Sequence, residues 1–263
     1  MSSLRRTALI AGALYVLTFA SSIPAFVLLL GTILADPAYV VGPGQDTAVV
    51  LACVLDVINA LACIGTAVVL YPVVKRQNAS LALGFVGSRV LEAAIIVTGV
   101  VSLLAVVTLR QTAGAAAGTD AAALVTVGQA LVEVRNWTFV LGPILLSGVN
   151  ALLLGTLMYR SGLVPRIIPL LGLIGAPLVI ISATAIMFGV WTQSAGWHKI
   201  AVAPIFVWEL SLGLWLIIKG FQPSPVTADL ASAESGTAHP LTRPEPVEGC
   251  PLSLSKGRPL DVP

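Results

Sequence analysis

From Leu81 to Leu109 the chain is an apolar run whose only ionisable residues are Arg89 and Glu92. At about 1.5 Å of rise per residue, a helix of that length crosses the ~30 Å hydrocarbon core of a bilayer. Inside lipid the backbone polar groups must be satisfied within the segment or its neighbours, which leaves helices and closed barrels. The remaining apolar runs are likewise long enough to cross a bilayer as helices. The fold class is therefore all-α: a polytopic membrane helix bundle with six transmembrane helices. The spans are expected at about 8–34, 47–72, 81–109, 136–159, 166–190 and 199–219, as one domain over 1–221. Residues are 57% apolar and only 10% charged, too little charge to cover a soluble surface.

The loops carry turn chemistry. Asp36-Pro37 and Gly42-Pro43-Gly44 follow the first run, and Lys75-Arg76-Gln77-Asn78 and Arg160 to Arg166 form two short basic turns. Arg5 and Arg6 precede an apolar run far longer than the roughly 7–15 residues of a signal-peptide core, so an uncleaved span is expected. Pro24 is expected to kink it. Ala121 to Arg135 reads either as an interfacial amphipathic helix or as an extension of the fourth span. From Gln222 to Pro263 the apolar period stops and Pro, Ser, Thr, Glu and Gly dominate, which predicts a disordered tail. The stretch from Pro240 to Gly257 resembles translated intergenic repeat DNA, so truncation at Gln222 is expected to leave stability unchanged.

Charge placement sets the orientation. Arg5, Arg6, Lys75, Arg76, Arg160, Arg166 and Lys219 fall on one side, against Arg110, Arg135 and Lys199 on the other. By the positive-inside rule both termini are expected to be cytoplasmic. Trp137, Trp191 and Trp197 then suit the outer interface and Trp215 the inner one. A weak internal echo relates Gly65-Thr66, Tyr71 and Leu83–Gly87 to Gly155-Thr156, Tyr159 and Leu171–Gly175. It reads either as a parallel repeat or as reuse of Gly for close packing.

Three motifs taken together resemble a known family. They are the Arg-x-x-Glu of Arg89 and Glu92, the turn from Leu157 to Arg166, and Glu209 followed by Leu214–Phe221. The chain is similar over roughly Arg5 to Phe221 to uncharacterised bacterial six-span proteins, domain-of-unknown-function family 4386. The resemblance implies a multi-pass protein of the bacterial inner (plasma) membrane and supplies no activity.

The ionisable residues inside the spans are Asp56, Arg89, Glu92 and Glu209. A charge at the centre of a span costs about 2.5–3.5 kcal/mol on insertion scales, so all four are expected to face protein or water. Glu92 and Glu209 fall at one level near the midplane, with Arg89 one turn from Glu92 and able to touch it. One arginine against three carboxyls leaves two negative charges in surplus, to be met by protons, a cation or water. Asp56 with Asn59 one turn on, and Asn150, read as interhelical hydrogen-bonding groups.

The first reading is that the Arg89–Glu92–Glu209 cluster sets helix packing. The alternative is a small proton- or cation-coupled carrier using Glu209 or Glu92. A more remote alternative is a membrane-embedded enzyme acting on lipid. A wet cavity reaching Glu209 would favour the carrier, a dry interdigitated cluster would favour packing, and a lipid-facing lateral cleft with a polar floor would favour an enzyme.

No enzyme motif, cofactor fingerprint or metal-ligand spacing is present, so catalysis, cofactors and metals are not expected. His198 reads as a solvated interfacial residue, and no serine with a buried His or Lys base is expected within the bilayer. Cys53 and Cys63 are ten residues apart on one run and read as core residues. The expected partner is the lipid bilayer, with homodimerisation through small-residue faces open and nucleic acid excluded by the scattered basic residues.

Overall fold

The computed structural model describes residues 2–34, 36–42, 44–113 and 120–228. Among them are six helical spans long and apolar enough to cross a membrane, and no strand. They are α1 (Ser3–Leu30), α2 (Asp46–Val74), α3 (Ala79–Ala113), a composite fourth span, α6 (Ile167–Met187) and α7 (Gly196–Ile218). The fourth span joins α4 (Ala121–Phe139), a π-helical segment (Val140–Leu146) and α5 (Ser147–Ser161) into one continuous helix of 41 residues. Of the two readings of Ala121 to Arg135, the extension is the one observed. At about 1.5 Å per residue that helix is roughly twice the thickness of the hydrocarbon core, so α4 projects beyond it.

Each span packs on its neighbours in sequence, and the ring closes where α7 returns to α1. The closure rests on two glycines. A Cβ on Gly12 would stand 2.6 Å from the carbonyl oxygen of Gly213, and one on Gly213 would stand 2.9 Å from Cβ of Tyr15. Only glycine lets the two backbones meet so closely. Below this crossing, the Arg5 guanidinium donates to the Leu216 carbonyl at 2.9 Å and the Ile217 carbonyl at 2.6 Å. It thereby satisfies the C-terminal carbonyls of α7 that have no partner within the helix. Both ends of the domain thus lie at one end of the ring. There the middle is filled by Tyr15, Phe85, Leu154, Met158, Trp208 and Leu216.

The first residues after the spans are not disordered. Gln222 donates its backbone N–H to the Leu163 carbonyl at 2.8 Å, Ser224 donates to the Ser161 carbonyl, and Pro225–Thr227 form a short 3-10 turn. Thr227 is buried. The expected boundary at Gln222 therefore moves: residues 222–228 cover the α5–α6 turn, and a truncation there would remove packed chain. Sequence reading missed them because the polar composition conceals a few hydrogen bonds to one helix end. The expectations for 229–263 lie outside the described residues.

At the opposite end a polar tie holds the α1–α2 loop. Tyr39 donates to Asp46 at 2.9 Å, Arg110 pairs with Asp46 at 2.7 Å, and the Arg110 guanidinium lies 5.7 Å from the centre of the Tyr39 ring. Burial, reinforced by the Asp46 carboxylate, pushes the Tyr39 phenol well above its ordinary value. The unfolded phenol loses its proton near pH ~10, whereas the folded one keeps it. The folded state therefore holds more protons above that pH, and stability falls as pH rises. Melting temperatures between pH 9 and 11 should drop more steeply for the wild type than for Tyr39→Phe. Parallel curves would show that Tyr39 plays no part in alkaline unfolding.

Candidate functional site

Arg89 projects from α3 into the middle of the ring and is 3% exposed. Its Nη1 donates to Glu92 Oε2 at 3.0 Å and its Nη2 to Glu209 Oε1 at 2.8 Å. The first pair is local, three residues apart on one helix; the second crosses from α3 to α7. The same guanidinium reaches the Tyr15 hydroxyl of α1 at 3.4 Å and the Cys63 sulfur of α2 at 3.5 Å. Asn150 of α5 donates to Glu92 Oε2 at 2.7 Å. One arginine and its two carboxylates therefore tie together α1, α2, α3, α5 and α7. The common level of Glu92 and Glu209, inferred from helix rise, places both against Arg89 as expected.

On the side away from the chain termini this cluster borders an open space. It forms the floor of a cavity of about 270 Å³ between α1, α2, α3, the fourth span and α7. Asp56, Asn59, Arg89, Glu92 and Glu209 all line it, while Asn150 stands behind Glu92. Arg135 lines it too, and this corrects the charge count. Assigned by sequence to the outer loops, Arg135 is only 5% exposed and belongs to the cavity wall. Two guanidiniums face three carboxyls, so with every group ionised the excess is one negative charge rather than two.

Two polar expectations change with it. Among the described residues Asp56 makes no interhelical hydrogen bond, and Asn59 accepts only a long contact from Cys63 of its own helix at 3.9 Å. Both side chains are turned to the cavity instead. His198, expected to be solvated, is buried and lies 2.9 Å from the hydroxyl of Ser182 on α6. A serine–histidine contact thus does exist within the spans, although neither residue lines the cavity.

The π-helical turn lies against this space. Pro143 falls inside it and lacks a backbone donor, so the ladder loosens there by one residue. Pro143, Ile144 and Ser147 all line the cavity. Pro24 of α1 and Pro204 of α7 interrupt two more of its walls. Segments of this kind mark functional sites in helices more often than chance.

A second space of about 1100 Å³ opens at the end opposite the termini, among the α1–α2 loop, α4 and the α6–α7 loop. Phe26 and Arg135 line both spaces and so stand at their junction. There the Phe26 and Phe139 rings stack, 5.5 Å apart and 13° from parallel. The Arg135 guanidinium covers the Phe139 ring at 4.7 Å. This aromatic partition stands where the two spaces meet. No signal in the sequence names the partition, because Phe26 and Phe139 read as ordinary apolar residues.

The glycines of the echo make different contacts. Gly155 faces Leu173 and the Pro169 carbonyl of α6, whereas Gly65 faces Leu14 of α1. No curated protein and no solved structure matches the chain. The family described as a domain of unknown function, DUF4386, matches residues 10–220. That range takes in all six spans, the charged floor and the partition above it, and the chain belongs to this family.

Proposed function

We infer that the protein is a small-solute carrier of the bacterial plasma membrane, coupled to a proton or a monovalent cation. The observation that supports this most is the cavity that Arg89, Glu92 and Glu209 line together with Asp56 and Arg135. A charged cluster that only fixed helix packing could be sealed by apolar side chains, whereas this one borders an open space lined by two further charged residues, Asp56 and Arg135. The single excess negative charge suits one proton or one monovalent cation. Arg89 holds one carboxylate ionised while the other takes up and releases the positive charge. Glu209 is the better exchange group, because it has one partner whereas Glu92 has two.

Both termini are assigned to the cytoplasm. With Arg135 in the cavity wall, the outer loops retain only Arg110 and Lys199, and Arg110 is neutralised by Asp46. The cavity and the larger space above it then face outward, and the packed half of the ring faces inward. Transport requires the two halves to exchange these roles, and the proline-interrupted walls in α1, the fourth span and α7 give the least resistance to bending.

Proteoliposomes holding an internal pH dye test the coupling. On adding a panel of small amines, amino acids and sugars under an inward proton gradient, wild-type vesicles should change internal pH with at least one solute. Glu209→Gln vesicles should not, although the variant folds. Sodium substituted for the proton gradient reads the cation alternative. No response to either gradient across the panel would remove the carrier reading and return the cluster to packing alone.

A further inference from the structure

Directly above the charged floor, two opposite charges share the cavity without touching. Asp56 on α2 and Arg135 on α4 both line it. The two helices flank α3 and pack on it from either side. Among the described residues neither side chain has a hydrogen bond, and no ion pair within 4.0 Å joins them. Arg135 is nine-tenths buried all the same, with its guanidinium over the face of Phe139 and its stem beside Gly99 of α3.

Asp56 and Arg135 feel each other's charge across the cavity without a direct pair, whereas proteins ordinarily join a buried guanidinium directly to its acid. Here the acid is present in the same cavity and is held away. Asp56 lies two turns outward of Cys63, the residue that touches Arg89, so about 10 Å separates its level from that of the floor. Arg89 is already committed to two carboxylates. Arg135 and Asp56 are thus the cavity's uncommitted cation and anion.

The geometry points to a binding site for a small zwitterion of the neutral amino-acid type, its carboxylate on Arg135 and its ammonium group on Asp56. A free metal cation would leave Arg135 unmet and a simple anion would leave Asp56 unmet. Only a ligand carrying both charges on one short skeleton satisfies the pair and keeps the cavity's net charge unchanged. Asn59, one turn inward of Asp56, adds a polar group on the same wall. The remaining walls mix hydroxyls, from Thr18, Ser22, Thr138 and Ser147, with apolar residues that include Phe19, Phe26, Ile96 and Phe139, and the apolar part suits an apolar side chain. The volume of about 270 Å³ falls just under the roughly 300–1,000 Å³ that holds drug-sized ligands, a size that suits a single amino acid. Arg135 also faces the outer space, so the carboxylate meets its partner at the junction itself.

This inference deepens the carrier reading by naming its substrate class, but it needs binding alone. The test uses the full chain in detergent with L-leucine and L-phenylalanine as probes, read by thermal shift and calorimetry. At least one of the two should bind, and its methyl ester and its N-acetyl derivative, each with one charge removed, should bind tenfold or more weakly. Asp56→Asn/Arg135→Gln should lose the zwitterion while its unliganded melting temperature stays level or rises, because no direct pair is broken. Arg135→Lys should keep part of the affinity. Equal affinity for zwitterion and ester would overturn the inference, as would no binding of either amino acid at 10 mM, about the weakest site of interest. A fall in the unliganded stability of the double variant would make the pair structural. Binding without any pH response in vesicles would sink the coupling and leave this site standing; a pH response to other solutes without binding here would do the reverse.

Discussion

Replacing Arg89 with methionine is expected to produce the largest loss of stability of any single change in the chain. Methionine keeps the stem and its contact with Phe85 and Tyr15, but it leaves Glu92 and Glu209 facing each other with no cation between them. Breaking a buried pair by removing one partner costs about 3–5 kcal/mol, because the other charge stays behind uncompensated. Here two are left behind, so the upper end of that range applies. The triple variant Arg89→Met/Glu92→Gln/Glu209→Gln should recover most of the loss, since the remaining groups are neutral and Asn150 still has an amide to meet. Thermal unfolding in detergent reads both. If Arg89→Met melts with the wild type, the guanidinium is not the clamp that joins the five helices. If the triple variant is as unstable as the single one, the cost lies in lost packing rather than in charge.

The second large effect is expected at the ring's closure. A single methyl group at Gly12 would stand 2.6 Å from the Gly213 carbonyl oxygen and 2.9 Å from the Ile217 nitrogen. These are backbone atoms and cannot turn aside, so α1 and α7 must separate. Overpacking of this kind costs about 1–3 kcal/mol or more, and the Arg5 guanidinium would lose its register with the α7 carbonyls as well. Gly87 on α3 provides the contrast, because nothing lies within 4 Å of a Cβ placed there. Gly12→Ala should lower the melting temperature, whereas Gly87→Ala should raise it slightly, as alanine improves a helix interior by about 0.5–1 kcal/mol. Similar shifts for the two variants would mean that the α1–α7 crossing is not closed by contact at Gly12.

The architecture was legible in the sequence because lipid leaves few choices. Apolar run lengths fixed six spans, and helix rise alone placed Glu92 and Glu209 at one level. Arg135 escaped that reading for a physical reason. Its helix carries Gln129, Glu133 and Asn136 and projects past the hydrocarbon, so local hydropathy is diluted where the side chain turns inward. A signal was present nonetheless: Gly128 and Arg135 are seven residues apart and share the buried face of α4. The surplus of two carboxylates was a second signal, since a buried imbalance of that size calls for another cation. His198 was misplaced because position next to a loop says nothing about which way a ring points. The polar chain after Phe221 hides its docking for a similar reason, as hydrogen bonds to the Ser161 and Leu163 carbonyls leave no hydropathy pattern.

The sequential ring has a consequence for how the chain is made. Each span packs chiefly on the one synthesised just before it, so the assembly can grow helix by helix as the chain leaves the ribosome. The exception is α7, which must find α1, the oldest helix, before the circle shuts. Arg89 enters the bilayer long before Glu209 exists. Glu92, one turn away on the same helix, accompanies it and allows α3 to insert as a nearly neutral segment. Glu209 then arrives last, and its bond to Arg89 acts as the latch that marks a finished ring.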